Sequence, residues 1–245
     1  MKAQAPRLLL LDLARSLALL GMVAFHLSYD LLMFGILPAS FAGSTLFYFH
    51  ARIVAGSFIF LAGLGLWLAH ESGIRWPAFW RRFVKIIGAA ALVTLATWLA
   101  MPDYYIYFGI LHAIAVYSLL GLLVLRLPGP LIAILATAIF AGGWLLPGEI
   151  FNAAWLRFTG LGTLPAMTVD FEPLFPWFGT FLYGVAVGKI GQTVDLWARL
   201  ARWPPGPAPI LSRMGWPGRH SLPIYQIHQP VLIGLVWAYA TLRGQ

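Results

Sequence analysis

The chain has 245 residues, of which 60% are hydrophobic and only 10% are charged, and it contains no cysteine. A water-soluble domain carries about 25% charged residues, so lipid rather than water must surround much of this protein. The lack of cysteine excludes disulfides, thiol catalysis and zinc–thiolate sites, and the net charge of +8 matters mainly through its position relative to the membrane.

Apolar runs of membrane-spanning length follow one another along the chain. In lipid, each backbone N–H and C=O must be satisfied within the protein, so these runs predict helices, and the alternation typical of a barrel is absent. The predicted spans lie near 9–35, 46–69, 82–101, 107–126, 129–146, 174–190 and 220–242. We predict an all-α, polytopic membrane bundle of about seven helices, forming one transmembrane domain over residues 1–245. Segment 191–202 is a candidate amphipathic interfacial helix.

The basic residues alternate between the two sides of these spans. One side carries only Arg157 and Arg243. The other carries twelve: Lys2, Arg7, Arg75, Arg81, Arg82, Lys85, Arg126, Lys189, Arg199, Arg202, Arg213 and Arg219. Because cytoplasmic loops are enriched in Lys and Arg, this pattern predicts a cytoplasmic N-terminus and an outer C-terminus.

The first predicted helix contains four ionisable residues, Asp12, Arg15, His26 and Asp30. Their spacings of 3, 11 and 4 residues place all four on one helical face. Asp12 and Arg15 can pair, either as a structural ion pair or as part of a site. His26 and Asp30 can pair as i,i+4 neighbours, and a carboxylate that orients an imidazole makes it a better general base.

Other polar residues collect at the predicted outer level, beginning with His50 and His112. They are joined there by Asp103, Tyr104, Tyr105, Asp170 and Glu172. Such a set can serve acid–base chemistry, metal ligation or a proton path. No H-E-x-x-H pattern occurs, and we predict no metal site.

The predicted inner level is basic, with Arg81, Arg82 and Lys85 after the second span and Arg219 before the last. These residues either only hold their loops in the cytoplasm beside anionic lipid, or form a pocket for a phosphate-bearing cofactor. In the last span, Ser221, Tyr225 and His228 share one face. The basic residues follow topology and form no continuous basic face, so we predict no nucleic-acid binding.

Five stretches carry a family resemblance: LDLARSLA at 11–18 with His26 and Asp30 after it, FIFLAG at 58–63, FGILH at 108–112, LFPWFG at 174–179, and GRHSLPIYQIHQP at 218–230. In this order they resemble the bacterial branch of the heparan-alpha-glucosaminide N-acetyltransferase catalytic-domain family. The resemblance runs from about residue 7 to about residue 237. One departure is Ser16, which replaces the glycine usual after the arginine.

The resemblance implies an integral membrane acyltransferase of a bacterial cytoplasmic (inner) membrane. It would move an acetyl group from cytoplasmic acetyl-CoA to an amino sugar or other glycan acceptor on the far side. His26, steered by Asp30, would act as general base or carry the acyl group, and His50 or His112 would assist. The expected cofactor contacts are Asp12, Arg15, Arg81, Arg82, Lys85 and Arg219, with His228 lining a central pocket.

Two other classes of function stay open at this stage. The same histidines and carboxylates can form the proton relay of a proton-coupled transporter or channel, although no inverted repeat is visible. A structural or assembly protein of the membrane is the third alternative. Membrane lipid, the acyl-CoA and the acceptor are the expected partners, and a homodimer is one open oligomeric state.

Overall fold

The computed structural model describes residues 8–204 and 207–243, and within these ranges it is helical with no β-strand. Lys2 and Arg7 of the predicted inner side, and Pro205 and Gly206 of the last predicted break, lie outside the described residues. The helices are α1 (Leu9–Met33), α2 (Thr45–His70), α3 (Trp76–Ala100), α4 (Ile110–Val124), α5 (Gly129–Leu145), α6 (Leu174–Thr193), α7 (Leu196–Leu200), α8 (Pro209–Met214), α9 (Trp216–Arg219) and α10 (Ser221–Leu242). The predicted all-α class is confirmed.

Each apolar run of the sequence forms a helix at its predicted position. Three helices are long and apolar enough to cross a membrane, namely Leu9–Met33, Thr45–His70 and Trp76–Ala100. The apolar helices α4 and α5 have 15 and 17 residues, or roughly 23–26 Å at 1.5 Å per residue, against a hydrocarbon core of about 30 Å. The count of seven spans and their orientation therefore stay predictions.

The candidate interfacial helix at 191–202 is not continuous. Residues up to Thr193 continue α6, the chain turns at Val194 and Asp195, and α7 covers only Leu196–Leu200. Asp195 has a φ of 52°, a left-handed conformation that aspartate tolerates better than most residues. The turn explains why one amphipathic segment becomes two helices.

The described residues group into two compact units. Unit 1 contains residues up to Phe58 and from Leu196 onward, and unit 2 is Ile59–Asp195. In unit 1, α1 packs against α8, α9 and α10. In unit 2, α5 packs on α6, and α4 contacts both α3 and α6. The prediction of one domain stays a prediction.

Glycines set the close packing in unit 2. A Cβ added to Gly63 of α2 would overlap the backbone oxygen of Phe181, and one added to Gly184 of α6 would overlap the backbone oxygen of Phe60. Small residues let two membrane helices approach backbone to backbone. This contact accounts for the glycine of the FIFLAG stretch.

Two basic side chains of unit 2 satisfy carbonyls near helix ends. Lys189 Nζ donates to the Leu125 carbonyl at 2.9 Å and lies 4.8 Å from the centre of the Trp67 ring. Arg75 Nε donates to the Ala69 carbonyl at 2.9 Å. Cations near the last carbonyls of a helix satisfy unpaired acceptors and complement the helix dipole. Arg75 and Lys189 thus have structural roles, whatever their part in topology.

Candidate functional site

Two imidazoles of unit 1 contact each other across α1 and α10. His26 Nδ1 lies 3.1 Å from His228 Nε2 and 3.0 Å from the Met22 carbonyl oxygen one turn earlier. The ring centroids are 4.7 Å apart, with the planes inclined at 67°. His228 is buried and His26 is half-buried. We call this pair the histidine dyad.

The carbonyl partners decide the tautomers of the dyad when both rings are neutral. His228 Nδ1 faces the Tyr225 carbonyl, which can only accept, so the His228 proton lies on Nδ1 and its Nε2 accepts. His26 Nδ1 must then carry the proton that faces both the Met22 carbonyl and His228 Nε2. His26 Nε2 is left with a lone pair and has no hydrogen-bond partner among residues 8–204 and 207–243. A fixed imidazole with an open nitrogen is suited to accept a proton.

The predicted His26–Asp30 pair is not formed, and this corrects the sequence prediction. Asp30 is fully buried, and its Oδ1 accepts from Gln229 Nε2 at 2.7 Å. His26 instead bonds His228 and the Met22 carbonyl. Both residues do lie on one face of α1, but α10 supplies a nearer partner to each. The imidazole is therefore oriented by His228 rather than by a carboxylate.

His50 of α2 contacts α1 within unit 1. Its Nε2 donates to the Gly21 carbonyl at 2.9 Å, because a carbonyl only accepts. The ring of Phe25 is edge-on to both His50, at 5.8 Å, and His26, at 5.4 Å. The structure thus links His50 to the dyad only through Phe25, whose ring contacts both imidazoles.

A second polar cluster of unit 1 surrounds the buried Asp12. Arg15 Nη1 lies 3.6 Å from Asp12 Oδ1, and Arg219 Nη1 lies 3.8 Å from Asp12 Oδ2. The predicted Asp12–Arg15 ion pair is confirmed, with Arg219 as an additional cation. Two guanidinium groups that share one carboxylate provide a positive surface on which phosphate can bind.

Ser16 has a role that the sequence did not reveal. Its hydroxyl donates to the Asp12 carbonyl at 3.0 Å and accepts from the Gly218 N–H at 2.8 Å. A side chain at Gly218 would overlap the backbone of Asp12. The serine that departs from the family pattern therefore ties α1 to α9, and it fixes Arg219 beside Asp12.

His112 belongs to unit 2 and is bonded differently. Thr94 Oγ1 donates its hydrogen to the Ile106 carbonyl at 2.7 Å, so it accepts from His112 Nε2 at 3.1 Å. This chain of hydrogen bonds ends on the backbone and fastens α4 to α3. His112 thus has a structural task in unit 2, apart from any catalytic one.

A half-buried carboxyl group, that of Asp170, lies beside the start of α4. Asp170 Oδ2 accepts from the Ile110 N–H at 3.1 Å, and a Cβ at Gly109 would overlap that carboxyl group. Burial raises the pKa of Asp170 to about 6, against the lowering effect of the Ile110 hydrogen bond. Asp170 therefore serves as the N-terminal cap of α4 from a distant part of the chain.

The remaining predicted cofactor contacts, Arg81, Arg82 and Lys85, lie exposed on α3 in unit 2. Arg82 lines a cavity of about 180 Å³ whose walls are otherwise mostly apolar. The other lining residues are Leu66, Ala69, His70, Ala78, Phe79, Phe83, Ile86 and Ser118. Neither Arg81 nor Lys85 contributes to the cavity wall.

The predicted residues divide between the units. Unit 1 holds Asp12, Arg15, His26, Asp30, His50, Arg219 and His228, and unit 2 holds Arg81, Arg82, Lys85 and His112. In the ranges that the structure describes, three or more metal-ligating side chains do not come together. Sequence reasoning missed Gln229 and Ser16. A signal for Gln229 existed, since it follows His228 in the last stretch that carries the resemblance.

A family model matches most of the chain. The family model described as "Heparan-alpha-glucosaminide N-acetyltransferase, catalytic" matches residues 7–230. That range contains every candidate residue above, from Asp12 on α1 to Gln229 on α10. Neither a curated protein nor a solved structure matches the chain significantly. The predicted family is confirmed, and the bacterial branch stays a prediction.

Proposed function

We infer a function from one premise: the chain belongs to the heparan-alpha-glucosaminide N-acetyltransferase catalytic family. Membership and the three long apolar helices indicate a membrane transferase. We propose that it moves an acetyl group from cytoplasmic acetyl-CoA to the amine or hydroxyl of an amino sugar or other glycan. The acceptor would lie on the far side of a bacterial inner membrane.

The observation that carries this proposal is the histidine dyad. An acceptor amine attacks a thioester only when neutral, and a hydroxyl must lose its proton as it attacks, so a nearby base is required. His26 Nε2 is open, while its Nδ1 is held by Met22 and His228. In the proposed reaction, His26 Nε2 takes the acceptor's proton as the new C–N or C–O bond forms and the C–S bond breaks. The proton then passes to the departing thiolate.

Other residues of unit 1 position this base. His228 fixes the His26 ring through its Nε2, and the Phe25 ring contacts both His26 and His50. Asp30 contributes to the position of the dyad indirectly, through its hydrogen bond with Gln229 of α10. His112, in unit 2, stays a proposed assisting residue.

The basic residues are the proposed contacts of the acyl donor. Arg15 and Arg219, held around Asp12, fit a phosphate group because guanidinium binds phosphate oxygens in a bidentate way. Arg82 stands at a mostly apolar cavity, which fits a ligand with a phosphate and an uncharged arm. Arg81 and Lys85 are exposed on the same helix and would add positive charge. We propose these residues as contacts of the acyl donor.

The direct test measures acetyl transfer by the purified full chain in lipid nanodiscs, with labelled acetyl-CoA and glucosamine as acceptor. The variant is His26→Ala, and the control is His220→Ala, an exposed histidine of unit 1. Loss of a general base should lower the rate by about 10²–10⁴-fold, whereas the control should transfer normally. Full transfer by His26→Ala would show that this imidazole is not the base.

A further inference from the structure

Two buried acceptor atoms beside the histidine dyad have no donor. They are Asp30 Oδ2 and Gln229 Oε1, and neither has a hydrogen-bond partner in residues 8–204 and 207–243. The two side chains are already joined, since Gln229 Nε2 donates to Asp30 Oδ1 at 2.7 Å. Buried polar atoms are almost always hydrogen-bonded, so two acceptors without a donor on side chains that contact each other need an explanation.

The surroundings do not compensate a charge on Asp30. Its side chain is 0% exposed, and no Lys or Arg of the described residues forms an ion pair with it. On these two helices, the titratable residues nearest to Asp30 and Gln229 in sequence are Tyr29, His26 and His228, and none of them is a Lys or Arg. An isolated carboxylate inside a membrane helix is costly unless paired. The complete burial of Asp30 also keeps its carboxyl group out of contact with bulk solvent.

One hydrogen atom shared between Asp30 Oδ2 and Gln229 Oε1 would give both atoms a hydrogen-bond partner. We propose that Asp30 is a neutral carboxylic acid whose Oδ2–H donates to Gln229 Oε1, while Gln229 Nε2–H donates to Asp30 Oδ1. A carboxylic acid and a primary amide each present one donor and one acceptor side by side, so they form a cyclic pair with all four positions satisfied. The pair carries no net charge, and it needs no ligand, ion or water.

The cyclic pair is placed to position the dyad. Asp30 lies one turn after His26 on α1, about 6 Å along the axis, and Gln229 directly follows His228 on α10. Two hydrogen bonds between α1 and α10 at this level fix the register in which the imidazoles meet. Asp30 and Gln229 are therefore positioning residues. Their effect on catalysis rests on the proposed function, whereas their pairing does not.

Infrared spectroscopy of the full chain tests the protonation of Asp30 without any substrate. The difference spectrum between wild type and Asp30→Asn at neutral pH should contain the carbonyl stretch of a protonated carboxylic acid. Subtraction is needed because Asp170 can contribute a similar band. Asp103→Asn, at an exposed position, should leave that band unchanged. The proposal would be overturned if the wild-type minus Asp30→Asn difference spectrum contained only the bands of an ionised carboxylate.

Thermal unfolding of the full chain in detergent gives a second readout. Asparagine at position 30 can replace the acid, since its amide offers the same donor and acceptor, so Asp30→Asn should unfold within about 2 °C of wild type. Asp30→Ala and Gln229→Leu should each lower Tm by about 4–8 °C through loss of the paired contacts. Gln226→Leu, three residues earlier on α10, should lower it by less. Equal destabilisation by Asp30→Asn and Asp30→Ala would show that a charged carboxylate is required.

Acetyl transfer separates this inference from the proposed function. Asp30→Ala should lower kcat about tenfold or more, and Asp30→Asn should restore most of the rate with an unchanged pH profile. A positioning pair is contradicted if Asp30→Asn transfers as poorly as Asp30→Ala. If the wild type shows no transfer at all, the proposed function fails, while the infrared and unfolding results still decide the state of Asp30.

Discussion

Each of the two units contains a histidine inside an apolar helix, and the two are held in different ways. In unit 1, His26 bonds a second imidazole and a carbonyl through one nitrogen, and its other nitrogen is open. In unit 2, His112 donates to Thr94, whose hydrogen goes to the Ile106 carbonyl. The chain of bonds from His112 ends in the backbone, as expected of a histidine that fastens two helices. The hydrogen-bond partner of a histidine in an apolar helix, rather than its burial, therefore distinguishes a candidate base.

The largest effect should separate the two histidine environments directly. His228→Ala removes one of the two acceptors of His26 Nδ1 and leaves only the Met22 carbonyl. The His26 ring is then less firmly oriented, and the transfer rate should fall by about 10–100-fold, the loss typical when the hydrogen-bond partner of a metal-bound histidine is removed. His112→Ala should cost less than about tenfold in rate but should lower Tm, because α4 loses its bond to α3. Initial rates and unfolding of the two variants decide the matter. Equal losses of rate would make His112 as important to catalysis as the dyad.

The next effect concerns the Asp12 cluster of unit 1. Arg219→Gln removes one of two guanidinium groups around Asp12, so the KM for acetyl-CoA should rise about tenfold, the loss of one charge-assisted contact, while kcat changes little. Arg213→Gln, at an exposed position in the same basic segment, is the matched control. Steady-state kinetics with varied acetyl-CoA give both constants. A fall in kcat without a change in KM would place Arg219 in dyad positioning instead of donor binding.

A pH effect on stability should also arise in unit 2. Burial raises the pKa of Asp170 from its ordinary value of 3.8 to about 6, so its protonated form is favoured in the folded protein. Its contribution to stability is therefore complete below pH 3.8 and is lost as the pH rises towards about 6. Thermal unfolding between pH 4 and pH 7 should show Tm falling over this window. Asp170→Asn should reduce that dependence, whereas Asp103→Asn at an exposed position should not.

The smallest effect should come from the exposed basic residues of unit 2. Arg82 stands at the apolar cavity, and Arg82→Ala should raise the KM for acetyl-CoA about threefold, since exposed charges contribute weakly. Arg126→Ala, also exposed in unit 2 but outside the cavity wall, is the control. Both constants should be measured at low and high salt. Identical behaviour of the two variants would assign Arg82 to membrane topology alone.

Several features of unit 1 were predictable because they are local. Helical periodicity places Asp12, Arg15, His26 and Asp30 on one face of α1, and the ion pair between the first two follows from a separation of one turn. The low content of charged residues indicates that lipid surrounds the protein. In lipid, backbone groups must pair within the chain, which favours helices. The partner of His26 was not predictable in this way, because an i,i+4 carboxylate and an imidazole from another helix compete for it.

The sequence by itself determined the lipid environment of this protein, its helices, and the face of α1 that carries the ionisable side chains. These properties depend on composition and on neighbours within one or two turns. The tertiary structure alone decided that His26 meets His228, that Asp30 meets Gln229, and that Ser16 holds Gly218. Each of these contacts joins residues about 200 positions apart, and only the packing of α9 and α10 on α1 chooses between the partners that periodicity allows.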